Sequence, residues 1–252
     1  MLKRQDLEKL KTVTGFNLWQ TEKDYLQHLF LQFLSRHAKT ELVFKGGTAL
    51  QKAYGLDRFS IDLDFTLNGK LDAAKLVDKI TADLTVFGFS SHSKHMKKRT
   101  GETFILKTEG PLYDGREKTL STLRIETSSR ENVVMQPLWK EIVPVYEDLR
   151  PYIAYVMRTE EILAEKVRAV MTRTKARDVY DIWFLLKRGV EFSEPLARQK
   201  LEFYGKEWNP KDFADKLGLR ESVWKSEMEP VLTRLPDFRE VRKLILERIG
   251  VK

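Results

Sequence analysis

Two aspartates, Asp62 and Asp64, lie two positions apart in the segment SIDLDFTL, in which apolar and polar residues alternate. This alternation predicts a strand over residues 60–67 with one buried face, and both carboxylates then lie on the other face, roughly 7 Å apart. Carboxylates at this spacing can ligate one hard cation, whereas without a cation their like charges repel. The pair therefore predicts a metal site, for which Mg²⁺, with Mn²⁺ as the alternative, suits oxygen ligands and substrate phosphates.

Two glycines, Gly46 and Gly47, precede the aspartates and are followed by Thr48. The residues before them (ELVF) predict a short strand, and those after them (TALQKAYG) predict a helix from Thr48 to Gly55. Glycines at a strand-to-helix turn let backbone N–H groups approach phosphate oxygens, and the helix N-terminus adds positive potential. We therefore expect Gly46, Gly47 and Thr48 to bind a nucleoside triphosphate. Ser60 shares the face of the aspartates and is a further candidate contact, whereas Arg58 could equally be a loop residue.

The elements that must position these residues alternate between helix and strand. Helical patterns cover residues 21–36 and 71–88, and further strands are expected at ETFILKTEG and TLSTLRIETS. In the last strand, Leu123 and Ile125 face the core, while Arg124 and Glu126 face the opposite way. After Pro151 the patterns are helical, with helices expected over residues 159–173, 177–189, 222–235 and 237–249.

Together these segments resemble known families. A Gly-Gly-Ser/Thr turn that leads a helix and is followed by an Asp-x-Asp strand resembles motif I of the polymerase-beta-like nucleotidyltransferases. The longer string FKGGTAL…YG…RFSIDLDF is similar to the AbiEii/AbiGii toxin family, which includes the Men-type toxins. The resemblance implies an α+β fold with two domains. Residues 1–150 are the nucleotidyltransferase core, a mixed sheet with flanking helices, and residues 151–252 are a helical domain that completes the nucleotide cleft.

Two later segments extend the resemblance. LRIETSSRE resembles the strand that brings a third carboxylate in such folds, which falls on Glu126. Because this residue is Glu where related enzymes often have Asp, it either ligates the metal or bonds a second-shell water. KVRAVMTRTKARDVYDIWFLL is similar to the family's later motif, a Lys on one helix and Arg-Asp-x-x-Asp on the next. It implies that Lys166 contacts the triphosphate and that Asp181 is a further catalytic carboxylate. Asp178 is then expected to orient neighbours through Arg177.

The resemblance implies a function and partners. It implies transfer of a nucleoside monophosphate from an NTP to an RNA acceptor, the 3′ end of tRNA, by the toxin of a toxin–antitoxin system. The expected partners are thus an NTP, RNA and a cognate antitoxin protein. Two alternatives stay open. One is nucleotidylation of protein hydroxyls. The other is a non-catalytic RNA-binding or regulatory module, which the intact aspartate pair disfavours.

The charge balance favours a polyanionic partner. Lys and Arg number 45 against 37 Asp and Glu, which gives a net charge of +8 and a pI of about 9.4. The segment SKHMKKRTGE predicts a basic loop or hairpin edge. Its basic side chains are candidates for contacts with an RNA backbone, the alternative being a solvated loop: Lys94, Lys97, Lys98 and Arg99.

Several classes of protein are not expected. The chain has no cysteine, which excludes disulfides and thiolate metal sites. No apolar run approaches the roughly 20 residues of a membrane span, and no secretory signal pattern is present, so we expect a cytoplasmic protein without a membrane partner. The later motif also has a structural alternative, in which Lys166 lies with Glu161 and Glu165 on a solvated helix face. The acids that begin the next helix then cap it or form salt bridges.

Overall fold

The structure, a computed structural model, describes residues 1–251. The chain forms two compact units, and two short segments that precede residue 137 belong to the second unit. The first unit comprises Met1–Gly55, Phe59–Val133 and Pro137–Val156. The second unit comprises Leu56–Arg58, Val134–Gln136 and the chain from Met157 onward.

The first unit contains a seven-stranded mixed sheet. In chain order the strands are β1 (Leu42–Lys45), β2 (Leu63–Leu67), β3 (Ser91–Lys98), β4 (Gly101–Thr108), β5 (Ser121–Ser128), β6 (Leu138–Ile142) and β7 (Tyr152–Val156). Their spatial order is β3-β4-β5-β2-β1-β7-β6. β2 runs parallel to β5 and β1 runs parallel to β7, whereas the other neighbours are antiparallel. The predicted α+β fold class with a mixed sheet is confirmed.

Four helices belong to the first unit: α1 (Arg4–Thr14), α2 (Leu18–His37), α3 (Gly46–Tyr54) and α4 (Ala73–Phe87). α2 is buried from Gln20 to Leu34, where it contacts α4, β5 and β7. It begins earlier than the predicted start at Thr21, because Asn17 and Gln20 cap it reciprocally, each side chain accepting a bond from the other's backbone N–H. α1 was not predicted from the sequence.

Alternation along the strands separates a buried face from a polar face. Leu63 and Phe65 on β2, like Leu123 and Ile125 on β5, are almost completely buried. The residues between them are more exposed, which confirms that Arg124 and Glu126 point away from the core. The polar face of β2 and β5 is therefore the surface on which the candidate residues must be sought.

A buried polar network joins α2 to α3 and β7. Asp24 on α2 accepts hydrogen bonds from Lys52 on α3 and from the Tyr146 hydroxyl, the latter at 2.8 Å. One turn along α2, His28 Nδ1 lies 3.0 Å from the Tyr152 hydroxyl on β7. Burial, reinforced by the Lys52 ammonium and partly offset by Asp24, lowers the pKa of His28 to about 3. His28 is thus neutral in the folded protein at neutral pH.

The second unit is helical, with α5 (Thr159–Thr172), α6 (Ala176–Lys187), α7 (Glu194–Glu202), α8 (Pro210–Gly218), α9 (Glu221–Met228) and α10 (Phe238–Ile249). The patterns predicted α5, α6 and α10 to within a few residues. α9 is shorter than predicted and gives way to a 3₁₀ turn that contains Pro230, since proline disfavours a helical residue before it. α7 and α8 were missed, although Ser193 and Asn209 cap them. Within residues 1–251 no helix has the length and apolar character needed to span a membrane.

Lowering the pH should destabilise the first unit through His28. In the unfolded chain His28 titrates near its usual value of 6.5, whereas in the folded protein its pKa is about 3. Between these values the unfolded chain binds a proton that the folded protein does not, so stability falls as the pH falls. We expect a loss of about 2 kcal/mol between pH 7 and pH 5, measurable by urea unfolding. His28→Gln should remove this part of the pH dependence, and an unchanged dependence would contradict the assignment.

Candidate active site

The aspartate pair lies where an irregular segment, residues 60–62, enters β2. Because β2 begins at Leu63, the predicted strand over residues 60–67 is three residues too long. The backbone of the segment bonds to side chains in place of a neighbouring strand. Gln27 Nε2, on α2, donates to the carbonyl oxygens of Ser60 and Ile61 at 2.9 and 2.8 Å. α2 therefore fixes the residues that immediately precede Asp62.

Two side chains of α3 hold the same segment. Gln51 Oε1 accepts a hydrogen bond of 2.8 Å from the Ser60 N–H. The Thr48 hydroxyl is fully buried and lies 2.9 Å from Ser60 Oγ, and also within hydrogen-bonding distance of the Asp62 carbonyl oxygen. Thr48 and Ser60, both expected to contact phosphate, are thus bonded to each other. Their hydroxyls position the segment that carries the aspartates.

Gly46 allows the Asp64 carboxylate to approach the first turn of α3. Its φ is +75°, and a Cβ at this position would lie 2.7 Å from Asp64 Oδ2, closer than real Cβ atoms come. Glycine is therefore required both for the backbone conformation and for the space that the carboxylate occupies. α3 begins at Gly46, two residues before the predicted start at Thr48. Gly47 belongs to the same first turn and is buried.

The third predicted carboxylate, Glu126, lies beside Asp64 on the neighbouring parallel strand. It accepts a hydrogen bond of 2.9 Å from Arg124 Nε, and Lys98 Nζ lies 3.7 Å from the same oxygen. Burial acts to raise the pKa of Glu126, but the hydrogen bond and charge of Arg124 outweigh it, so this pKa is lowered. Glu126 is thus kept ionised by basic side chains.

The donor set fits a cation that is shared with a substrate. In the part of the chain that the structure describes, residues 1–251, no group of three or more His, Asp or Glu side chains could hold a metal by itself. Asp62 and Asp64 are half-buried, and Glu126 is engaged by Arg124. Two carboxylates combined with substrate phosphates are the usual ligands of Mg²⁺, in contrast to an all-protein cage. Asp62 and Asp64 are therefore the residues that could hold a metal.

Two basic residues that interact electrostatically with the aspartates, Arg124 and Lys23, were assigned no function from the sequence. Arg124 interacts electrostatically with both aspartates, and its hydrogen bond with Glu126 raises its pKa. Lys23 on α2 donates to the Thr122 carbonyl. Burial lowers the pKa of Lys23, and the negative charge of Asp62 partly offsets this effect. Alternation along β5 could have identified Arg124, whereas Lys23 carries no sequence signal because it lies inside a uniformly buried helix.

The predicted basic loop is an edge strand with a turn. β3 pairs with β4 over its whole length, and Arg99 lies in the turn between them. The cross-strand register places Lys94 and Lys98 on the face that carries Asp64, whereas Lys97 points to the opposite face. Because three strand spacings separate β3 from β2, these lysines lie roughly 14 Å from Asp64. The four predicted RNA contacts therefore do not share one face.

In the second unit, the later motif forms a buried ion cluster. Lys166 Nζ on α5 lies 2.7 Å from Asp181 Oδ2 and 3.0 Å from Asp178 Oδ1, both on α6. Arg173 Nε donates to Asp178 Oδ2 at 2.8 Å, in the place expected for Arg177. The charges of Asp181 and Asp178 outweigh the effect of burial and raise the pKa of Lys166.

The alternative that Lys166 lies on a solvated helix face is wrong. Lys166, Glu161 and Glu165 are 7%, 0% and 6% exposed, respectively. Lys166 bonds to the acids of α6, as described above. Lys200 Nζ on α7 lies 2.7 Å from Glu161 and 3.4 Å from Glu165. These three charges of α5 are therefore paired inside the unit.

Asp181 also binds Arg58, for which the sequence alone allows an ordinary loop position. Arg58 Nε and Nη2 donate to the two carboxylate oxygens of Asp181 at 2.7 and 2.8 Å, and the two side chains are 3% and 0% exposed. The next residue towards the N-terminus, Asp57, accepts a hydrogen bond of 2.7 Å from the Tyr180 hydroxyl. α6 thus holds the short segment Leu56–Arg58 at two adjacent residues.

The other short segment, Val134–Gln136, is held by α5. The Glu161 carboxylate accepts hydrogen bonds of 2.9 and 2.8 Å from the N–H groups of Val134 and Met135. Arg158 Nε donates to the Gln136 carbonyl oxygen at 2.9 Å. Both short segments of the second unit that precede Met157 are therefore fixed by charged side chains of α5 and α6.

Solved structures of other proteins share the fold of this chain. MenT4, a nucleotidyltransferase toxin from Mycobacterium tuberculosis, is 18% identical with a TM-score of 0.67, and the match covers 100% of this chain and 89% of that chain. JHP933 from Helicobacter pylori is 22% identical with a TM-score of 0.61, over 93% of this chain and 92% of that chain. At these identities the likeness establishes the fold alone.

The family follows from the sequence itself. The profile of the nucleotidyl transferase AbiEii toxins of type IV toxin–antitoxin systems matches residues 30–244. The chain belongs to this family, and the protein is a nucleotidyltransferase toxin of a type IV toxin–antitoxin system. Among curated protein sequences, none matches this chain. The resemblance seen in the glycine turn and the aspartate strand is confirmed.

Replacing Gly46 by Ala should remove nucleotide transfer. The new methyl group must displace the Asp64 carboxylate, because the two positions lie 2.7 Å apart. Gly15→Ala is the matched control, since Gly15 has a similar φ of +71° with nothing within 4 Å. Both variants should lose about 1 kcal/mol of stability from the strained backbone. Activity should fall at least about tenfold in Gly46→Ala alone. Equal activities of the two folded variants would show that the Asp64 contact is unimportant.

Proposed function

We propose that this enzyme transfers a nucleoside monophosphate from an NTP to the 3′ end of an RNA, a tRNA, in a Mg²⁺-dependent reaction. The observation that carries the proposal is the aspartate pair. Asp62 and Asp64 flank the start of β2, Asp64 lies against the glycine turn of α3, and Asp62 follows a segment held by α2 and α3. Side-chain hydrogen bonds thus hold the segment before Asp62, and the space at Gly46 accommodates the Asp64 carboxylate. Both carboxylates are half-buried.

Asp62 and Asp64 are the proposed metal ligands, with Mn²⁺ as the alternative ion. A bound divalent cation neutralises charge on the transferring phosphate and lowers the pKa of the acceptor hydroxyl. We do not include Glu126 among the ligands, because its carboxylate bonds to Arg124. Arg124 is instead a candidate to attract the phosphates. Its guanidinium interacts electrostatically with both aspartates, and its side chain is 44% exposed to solvent.

In the proposed reaction the 3′-hydroxyl oxygen of the RNA forms a bond to the α-phosphorus of the NTP. The bond from that phosphorus to the oxygen bridging to the β-phosphate breaks, and pyrophosphate leaves with the electron pair. The hydroxyl proton is lost to water. Within this chain, the backbone N–H groups of Gly46 and Gly47 in the first turn of α3 are proposed to face the phosphates. A triphosphate contact by Lys166 stays a prediction, because its ammonium already bonds to two carboxylates.

The proposed partners follow from the family and the charge. The net charge of +8 favours a polyanionic acceptor, and a type IV system supplies an antitoxin that restrains the toxin. We propose that the enzyme acts in the cytoplasm, where NTPs and tRNA occur together. The second candidate function, nucleotidylation of protein hydroxyls, uses the same carboxylates and differs in the acceptor alone.

Labelling with nucleotides tests the reaction. Purified enzyme is incubated with each α-labelled NTP, Mg²⁺ and total cellular RNA, and we expect label in an RNA of tRNA size that RNase removes and protease does not. Asp62→Asn and Asp64→Asn should each abolish labelling without unfolding the protein, because each removes a ligand charge and no core contact. Asp78→Asn, on the exposed side of α4, is the control. Retention of more than about a tenth of the activity by both variants would reject the metal site. Label that protease removes would favour the protein acceptor.

A salt titration tests the path of the RNA across the sheet. Lys94→Ala and Lys98→Ala, on the face that carries Asp64, should each lower the slope of log affinity against log salt by about 0.7–0.9, because each removes one phosphate contact. Lys97→Ala removes the same charge from the opposite face of the same strand and should leave the slope unchanged. If all three variants give the wild-type slope, β3 does not contact the RNA.

A further inference from the structure

We propose that Arg58 is a positioning residue for nucleotidyl transfer, and that Asp181 acts through it. Arg58 fixes the chain four residues before Asp62, and Asp181 fixes Arg58. The inference rests on the proposed role of Asp62 and Asp64. It assigns the acidic residue of the later motif a function that does not require contact with the substrate.

The first step of the argument is the chain connection. Phe59 follows Arg58 directly, and four residues span at most about 14 Å when extended, so the Asp62 backbone lies within about that distance of Arg58. The residues from Ser60 to Asp62 are held by hydrogen bonds to Gln27 and to α3. Phe59, between the two fixed points, is fully buried. Arg58 on one side of Phe59 and residues 60–62 on the other side are therefore each held by hydrogen bonds within their own unit.

The second step is the geometry of the Arg58–Asp181 pair. Two parallel N–H···O bonds fix the direction of the guanidinium as well as its distance, which a single contact does not do. Both side chains are nearly free of solvent exposure, so separating them leaves buried charges without partners, which is strongly unfavourable. The hydrogen bond from Tyr180 to Asp57 adds a second fixed point one residue earlier.

The third step concerns the other members of the cluster. Lys166 lies 2.7 Å from Asp181, and its positive charge, with that of Arg58, keeps the pKa of Asp181 below its usual range although burial acts to raise it. Asp178 in turn pairs with Lys166 and Arg173. Lys166 therefore orients Asp181 towards Arg58. A carboxylate that is 0% exposed and already bonded to two cations is better suited to positioning than to touching a substrate.

Arg58→Met tests the proposal. The variant removes the guanidinium but leaves Asp181 paired with Lys166, so the protein should remain folded. We expect kcat at saturating NTP to fall at least about tenfold, because a displacement of about 1 Å at a reacting group can cost about a hundredfold. The KM for the NTP should change little, since Arg58 does not bind it. Arg58→Lys, which keeps the charge but not the two parallel bonds, should recover part of the loss.

Hydrogen exchange supplies a readout that does not depend on the acceptor. Amide exchange at residues 59–62 should become faster in Arg58→Met, while the midpoint of global unfolding shifts far less. Tyr180→Phe removes the bond to Asp57 without removing any charge, and should produce the same two effects to a smaller extent. Arg173→Met is the matched control, because it removes a guanidinium from Asp178 in the same cluster and leaves the two hydrogen bonds between Arg58 and Asp181 in place.

The outcomes distinguish a failure of the positioning role of Arg58 from a failure of the proposed nucleotidyl transfer to RNA. Faster exchange at residues 59–62 together with a loss of kcat in Arg58→Met and not in Arg173→Met supports the positioning role. If Arg58→Met matches Arg173→Met in both kcat and exchange, the positioning role is overturned. If the wild-type enzyme labels no RNA, the proposed function fails, but the exchange comparison still decides whether Arg58 fixes the segment that carries the aspartates.

Discussion

Charged groups that leave water must find opposite charges, and this constraint determines the interior of the second unit. Arg58, Lys166 and Asp181 are each about 0–7% exposed, and each is stable there because the others neutralise it. α5, α6 and the short segment at residues 56–58 can therefore assemble in one arrangement, since any other leaves a charge buried alone. Glu161 and Lys200 apply the same constraint to the second short segment.

In the first unit, the position of the aspartates depends on side chains that bond to backbone groups. A strand would fix residues 60–62 by regular pairing with a neighbour. Here Gln27, Gln51 and Thr48 take the place of that neighbour. Asp62 belongs to this segment, whereas Asp64 lies on β2 itself and approaches the first turn of α3 at Gly46. The stretch around the aspartates therefore has two parts. Its backbone groups at residues 60–62 are bonded to side chains of the protein, and its two carboxylates are half-buried.

The sequence predicted those features that depend on neighbours close in the chain. Alternation identified the buried faces of β2 and β5, and helical periodicity located α2, α5 and α6. The pattern could not show that Lys166 is buried, because a charged residue on a helix becomes an interior residue only when another element covers it. Arg58 and Asp181 are 123 positions apart, so nothing near either residue indicates the other. The hydrogen bonds of Thr48 to Ser60 and to the Asp62 carbonyl oxygen could not be predicted for a related reason, since hydroxyls suited to phosphate are equally suited to a nearby backbone carbonyl.

The position of β3 at the end of the strand order has a consequence for the solution behaviour of the protein. An outermost strand presents unpaired N–H and C=O groups, which can pair with the same strand of a second molecule and begin aggregation. Lys94, Lys97 and Lys98 place positive charge along this strand and on both of its faces. Two such strands would repel each other on approach, so these lysines oppose edge-to-edge association of two molecules whether or not a nucleic acid ever contacts them.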